Sequence, residues 1–299
     1  MLGRAVESYL SVRRACGFDL KCPGGLLRSF AAFSEAKGKE HVCSQIAIEW
    51  AGLSRSVHQR ARRLNHVIRF ARYVRTEDPH HEVPPAVFGS GQQVRPTPYI
   101  FAPDDIARLV EAAAQSSHPF RRQTYRTLFA LLSCTGLRVS EAIRLRLEDI
   151  TPDGMLIRHA KFRKSRLVPL HKSARDQLER YLEYRLPYAP FDNHVFVSLR
   201  GTPLAVDEVE KMFRSAVNRI GLPLRKPRPT VHSLRHTFAV RSLEASPDGR
   251  ERIAKHMLAL STYLGHTKVS YTYWYLQATP ELMEGIAARC ESLVTGGRS

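Results

Sequence analysis

Apolar residues recur at three- and four-residue spacing along most of the chain, which is the period of amphipathic helices, and only two short stretches suit strands. From about Arg55 to Arg75, Val57, Leu64, Val67, Ile68 and Ala71 form one apolar stripe. Arg55, His58, Arg62, His66 and Arg69 fall on the opposite side, and Asp78-Pro79 stops the helix. A second pattern opens at Pro103, a proline at the first helical position with Asp104 and Asp105 in the first turn, although Ala102 is a poor cap. Tyr125 to Cys134 reads as an apolar helix that stops at Thr135-Gly136. Further helices are predicted from Ser173, whose Asp176 completes a capping box, from Asp207 to Ile220 before Gly221, and from His232. The last runs from a Thr279 cap and Pro280 to about Val294. The strand candidates are Met155 to His159 and Arg166 to Leu170, joined by Ala160 to Ser165. The expected fold is therefore mainly α with one small antiparallel β-sheet.

Periodicity lapses between Pro79 and Pro103, where Pro84, Pro85, Pro96 and Pro98 accompany Gly89, Ser90 and Gly91. A helical domain over 1–82, a linker over 83–102 and a second domain over 103–299 follow from that break. The length of 299 residues suits two domains with ample core.

Charge changes the picture most. The formal net charge is +18, with 14 basic against 8 acidic residues over 1–94 and 32 against 20 over 95–299. Both parts are basic, which favours two domains touching one polyanion over a neutral enzyme with a cationic tail. The helix near Arg55 to Arg75 carries almost no acidic residues on its cationic side, so Arg55, Arg62 and Arg69 are candidate nucleic-acid contacts. Five cysteines, with no CxxC spacing, indicate neither a disulfide framework nor a zinc ribbon, and a reducing cytoplasmic setting is expected. The first residues lack a signal-peptide core, no run is long enough to span a bilayer, and no membrane partner is expected. No glycine-rich phosphate loop is present, so nucleotide hydrolysis has no visible machinery.

Three segments present groups suited to a phosphodiester. Thr135-Gly136-Leu137-Arg138-Val139-Ser140-Glu141 ends one helix and starts another with an arginine. His232-Ser233-Leu234-Arg235-His236 sets His232 and Arg235 on one helical face. Leu264-Gly265-His266 is followed nine positions later by Tyr275, within the tyrosine-dense run Tyr271-Thr272-Tyr273-Trp274-Tyr275. His232 and His236 stand at the i to i+4 spacing of helical zinc ligands, but they lack the glutamate of that motif and flank Arg235, so no metal is expected.

In order and spacing these segments resemble the tyrosine recombinase, or phage integrase, family over residues 103–299. The family pattern is a TGxRxxE box, a lysine in a β-hairpin, HxxR, a histidine after Leu-Gly and a tyrosine about nine residues on. The resemblance implies a helical DNA-binding domain before the catalytic one, the two forming a C-shaped clamp. It implies six catalytic residues: Arg138, Lys161, His232, Arg235, His266 and Tyr275. Arg138 and Arg235 would clamp the phosphate, and Tyr275 would attack it to leave a 3′-phosphotyrosyl link. Lys161 would protonate the leaving 5′-oxygen, His232 would act as acid or base near the nucleophile, and His266 would hydrogen-bond the phosphate. Lys164 shares the hairpin turn and remains the alternative lysine, while Tyr271 and Tyr273 compete with Tyr275. Glu141 would be structural. No cofactor is implied, and the expected partners are double-stranded DNA with inverted half-sites, a homotetramer on DNA, and accessory DNA-bending or partner recombinase proteins. A mobile-element integrase is the expected type, from the stretch Tyr273 to Leu282. Two alternatives share the fold: a type IB topoisomerase and a catalytically silent DNA-binding protein. The segment between Arg235 and His266, including Ser246 to Gly249, Lys255 and His256, looks longer than usual and is expected to form a loop.

Overall fold

The computed structural model describes residues 2–89, 97–158, 165–222, 227–245, 250–266 and 269–276. The chain divides into two compact units, Met1–Arg95 and Pro96–Ser299.

The first unit holds four helices, α1 (Leu2–Ala15), α2 (Lys21–Ala36), α3 (Ser44–Gly52) and α4 (Val57–Val74). Helix α1 packs on α2 and α4, and α3 packs on α2 and α4. Leu10, Leu27, Phe30, Trp50, Leu64, Val67 and Phe70 close the core between them. The predicted stripe on α4 holds for Leu64, Val67, Ile68 and Ala71, all buried. Val57 departs from it, 62% exposed in the first turn. Arg62 and Arg69 are exposed on α4, and Arg55 is exposed just before it. His66 is half-buried, and burial with the charges of Arg69 and Arg62 lowers its pKa.

The second unit begins with α5 (Pro103–Ala113) and α6 (Pro119–Thr135), followed by the short α7 (Val139–Ala142) and a 3-10 turn at Leu147–Asp149. Ala102 caps α5 without a side-chain bond, as its lack of a polar group requires. Three antiparallel strands then form the sheet: β1 (Ile150–Thr151), β2 (Gly154–Ile157) and β3 (Arg166–Val168). The register pairs Met155 with Ile150 and Val168, and Ile157 with Arg166. The sequence pattern missed β1, because two residues are too few to show an alternation. Helices α8 (Lys172–Tyr188), α9 (Val206–Arg219), α10 (Val231–Glu244), α11 (Arg250–Leu264) and α12 (Ser270–Leu276) complete the described part.

Helix α6 lies at the centre, packed against α5, α8 and α10. Leu128, Phe129 and Leu132 on it are fully buried, each stabilising by about 1.5–3 kcal/mol. Two local expectations change. The cap of α8 is His171, whose Nδ1 accepts the Ser173 backbone N–H at 3.3 Å, while Asp176 pairs with Lys172 at 2.8 Å. His171 has the extended backbone that a cap needs, and Ser173 is already helical. Lys255 and His256 belong to α11 and not to a loop, with His256 Nε2 2.7 Å from the Ser242 carbonyl on α10. Ser246 to Gly249 and the predicted helix from Thr279 to Val294 lie outside the described residues. No described helix is long and apolar enough to cross a membrane.

Candidate active site

The end of α6 sets the first arginine. Gly136 terminates the helix in the left-handed region at φ 61°, and a Cβ there would stand 2.5 Å from the Phe238 ring. Only glycine fits without strain. The turn delivers Arg138 to the start of α7, where the Glu141 carboxylate accepts both its backbone N–H at 3.0 Å and its Nη1 at 2.7 Å. Arg166, the first residue of β3, donates to the same carboxylate at 3.1 and 2.8 Å. Burial pushes the Glu141 carboxyl up, but the bonds and charge of Arg166 and Arg138 outweigh it and hold the group down at about 2. Glu141 is thus a fixed anion between two guanidinium groups.

A helix end also sets the second arginine. Helix α11 stops at Leu264, and Gly265 turns the chain at φ 65°. The last carbonyls of a helix lack partners and carry the negative end of its dipole. Arg235 Nη2 bonds to the Leu264 carbonyl at 2.6 Å, and its Nη1 bonds to that of Gly136 at 2.7 Å. Arg138 approaches the Leu264 and Gly265 carbonyls at 3.4 Å each. Arg166 Nε bonds to Tyr263 at 2.7 Å, and a Cβ on Gly265 would come within 2.9 Å of that guanidinium. Three arginines therefore gather on one helix terminus. Arg235 is 2% exposed, and burial followed by the nearby Arg138 lowers its pKa to about 10, so it stays charged at neutral pH.

Around this cation cluster lie the histidines and the tyrosine run. Burial and the charges of Arg235 and Arg138 lower His266 to about 3, leaving it neutral, and its Nδ1 is 2.9 Å from Thr272 Oγ1. The packing around His232 and the same two arginines push its pKa down as well. Tyr275 on α12 is 2% exposed, its ring nearly parallel to that of His266 with centroids 6.1 Å apart. Its Oη is 3.2 Å from His236 Nδ1. Tyr273, by contrast, is 56% exposed. The structure thus brings Arg138, Arg235, His266 and Tyr275 to one place, with His232 one helical turn before His236 and their rings edge-to-face at 4.5 Å.

Lys161 and Lys164 lie outside the described residues. In sequence they fall between β2, which ends at Ile157, and β3, which opens with Arg166. Sequence reasoning missed Arg166 and the bond from His236 to Tyr275. Arg166 could not be found from spacing, since its partners lie 25 and 97 residues away. His236 was visible only as the residue after the HxxR arginine. A cleft of about 490 Å³ opens beside Arg138 and His232, with Arg214, Thr230 and Glu210 on its walls. Among the described residues, His41, Asp78 and His80 in the first unit bring possible metal-ligating atoms together, but Asp78 is already bonded by the His80 backbone N–H at 3.0 Å and lies 3.0 and 2.8 Å from the two rings.

Residues 100–281 match the phage integrase family. The chain belongs to that family. A Sinorhizobium fredii (strain NBRC 101917 / NGR234) protein that carries the name integrase/recombinase y4rB is 36% identical, covering 96% of each chain. Tyrosine recombinase XerD of Brucella suis is 28% identical over 76% of this integrase-family chain and 74% of its own. Among solved structures, the XerH site-specific recombinase bound to palindromic difH substrate gives a TM-score of 0.68 at 19% identity, covering 89% of this chain and 78% of that one. The Tn1549 transposon integrase in complex with transposon right end DNA gives 0.65 at 18% identity, covering 95% and 99%. At such identities the likeness speaks for the fold. The catalytic fold of tyrosine recombinases, mostly helical with a small antiparallel sheet, is therefore the fold of this chain.

Proposed function

We propose that this integrase-family protein cleaves and rejoins DNA at paired inverted half-sites through a 3′-phosphotyrosyl intermediate, for integration or excision of a mobile element. The observation that carries the reading is the gathering of Arg138, Arg235, His266 and the Tyr275 phenol around the C-terminus of α11. An in-line displacement at phosphorus gathers negative charge on the nonbridging oxygens, and fixed donors aimed at those oxygens stabilise it. Arg138 and Arg235 supply them, and His266 adds a neutral hydrogen bond. Tyr275 Oη attacks, the P–O5′ bond breaks, and Lys161 protonates the departing 5′-oxygen, with Lys164 as the fallback donor. His232, edge-to-face with His236, stands near the nucleophile as an acid or base.

Bond energy is kept in the tyrosyl ester, so rejoining needs no ATP, and the arginine pair takes the place a metal ion would fill. Arg55, Arg62 and Arg69 contact the phosphate backbone from the first unit. Four protomers act on two duplexes, in the bacterial cytoplasm and on its nucleoid. The y4rB relative, which carries the name integrase/recombinase, supports the integration reading.

The test is covalent trapping on fragmented host genomic DNA, stopped with detergent, with Tyr275→Phe in parallel. Adducts lost in the variant and clustered at an inverted repeat are expected. Tyr275-dependent adducts without sequence preference would favour topoisomerase action, and adducts that survive Tyr275→Phe would move the nucleophile to Tyr271 or Tyr273.

A further inference from the structure

We infer that His236, the residue after the HxxR arginine, is the proton acceptor for the Tyr275 hydroxyl. This rests on the proposed role of Tyr275 and names a catalytic residue for it. His236 Nδ1 lies 3.2 Å from Tyr275 Oη, within the reach a general base needs before substrate tightens the site. Its ring is held on two sides, edge-on to His232 at 4.5 Å and to Trp274 at 5.1 Å between centroids, so the nitrogen is aimed by packing. His266, the other imidazole beside the phenol, already has its Nδ1 engaged with Thr272. Arg235, one residue before His236, is close enough to the phenol for their charges to interact, which favours the tyrosinate as it forms.

The step balances simply. As Oη bonds to phosphorus, its proton passes to Nδ1 and neutral His236 becomes imidazolium. The P–O5′ bond breaks, and the 5′-oxygen leaves with a proton from a separate acid, the role proposed above for Lys161. On rejoining, the 5′-hydroxyl gives its proton back to that acid as it displaces the tyrosyl oxygen, and His236 returns its own proton to Tyr275.

Two variants of the full-length protein separate a base from a positioning contact. His236→Ala removes both, whereas His236→Asn keeps an acceptor oxygen near the Nδ1 position and cannot hold the proton. Adduct formation is followed in single turnover on fragmented host genomic DNA at saturating protein, beside DNA retention at equilibrium, thermal unfolding and Tyr275→Phe. Both variants should retain DNA and unfold like the parent, yet form adducts on the order of a hundredfold more slowly. A recovered site resynthesised with bridging sulfur at the 5′ position sharpens the assignment, since sulfur leaves without a proton. The His236→Asn deficit should persist there. Adduct formation by His236→Asn within threefold of the parent, while Tyr275→Phe is silent, overturns the proton-acceptor role alone. Relief of the deficit by sulfur overturns it too, moving His236 to the leaving group. Adducts surviving Tyr275→Phe overturn the nucleophile reading and this inference together.

Discussion

Glu141 is where single residues matter most, because a nearly buried carboxylate joins two arginines from different segments. Glu141→Gln removes the anion and leaves both guanidinium groups unopposed, which should cost about 3 kcal/mol at pH 7. Since the folded carboxyl sits at about 2 against an ordinary 4.5, its stabilisation is complete above 4.5 and is lost as pH falls through 2. Chemical unfolding of the two proteins across pH 7 to 2 should show the gap closing only at the acid end. A constant gap would mean that shape, and not charge, is what Glu141 contributes. Gly136→Ala tests the turn beside it. The left-handed backbone alone costs about 1–2 kcal/mol with a Cβ, and the approach of Phe238 adds to it, so the melting temperature should fall by several degrees. The TGxRxxE box was legible because its residues act on one another within a single turn. Arg166 was not, because its partners meet it only through folding.

Helix α10 shows how one element organises chemistry. Positions i, i+3 and i+4 carry His232, Arg235 and His236, while Leu234, Ala239 and Val240 anchor the helix in the surrounding cores. The pattern of residue types singled out the first two positions, but which ring faces Tyr275 depends on where α12 packs. Helix α4 does the corresponding work in the first unit. Its Leu64 is 1% exposed in a core that shares no described residue with that of the second unit. Leu64→Ala should remove about 2–5 kcal/mol. Denaturant unfolding followed by fluorescence of Trp50, in a variant with Trp274→Phe, should show that loss in the first unit, while aromatic signals of the second unit keep their midpoint. A common shift of both would mean that the units unfold as one.

For the whole molecule the governing quantity is the charge of +18. If DNA is held through phosphates, affinity falls linearly on a logarithmic salt scale, with a slope near −0.9 for each phosphate neutralised. Replacing Arg62 and Arg69 together by Gln should weaken binding evenly across sequences and reduce that slope by about 2. An unchanged slope in a filter-binding titration would remove the cationic side of α4 from the interface.

By itself the sequence determined the helical class and the small sheet, and it singled out Arg138, Arg235 and His266, which the structure brings to one place. Each of those rests on near neighbours: periodicity, glycine turns and spacings inside one helix. Tertiary structure alone decided that α11 would offer its terminal carbonyls to three arginines, that Arg166 would share Glu141 with Arg138, and that His236 would meet the Tyr275 hydroxyl. Those contacts join residues from 25 to 127 positions apart, and no local pattern encodes a partner at that distance. Packing in three dimensions brings the charges together, and the Glu141 carboxylate with the backbone carbonyls at the end of α11 then holds the arginines in place.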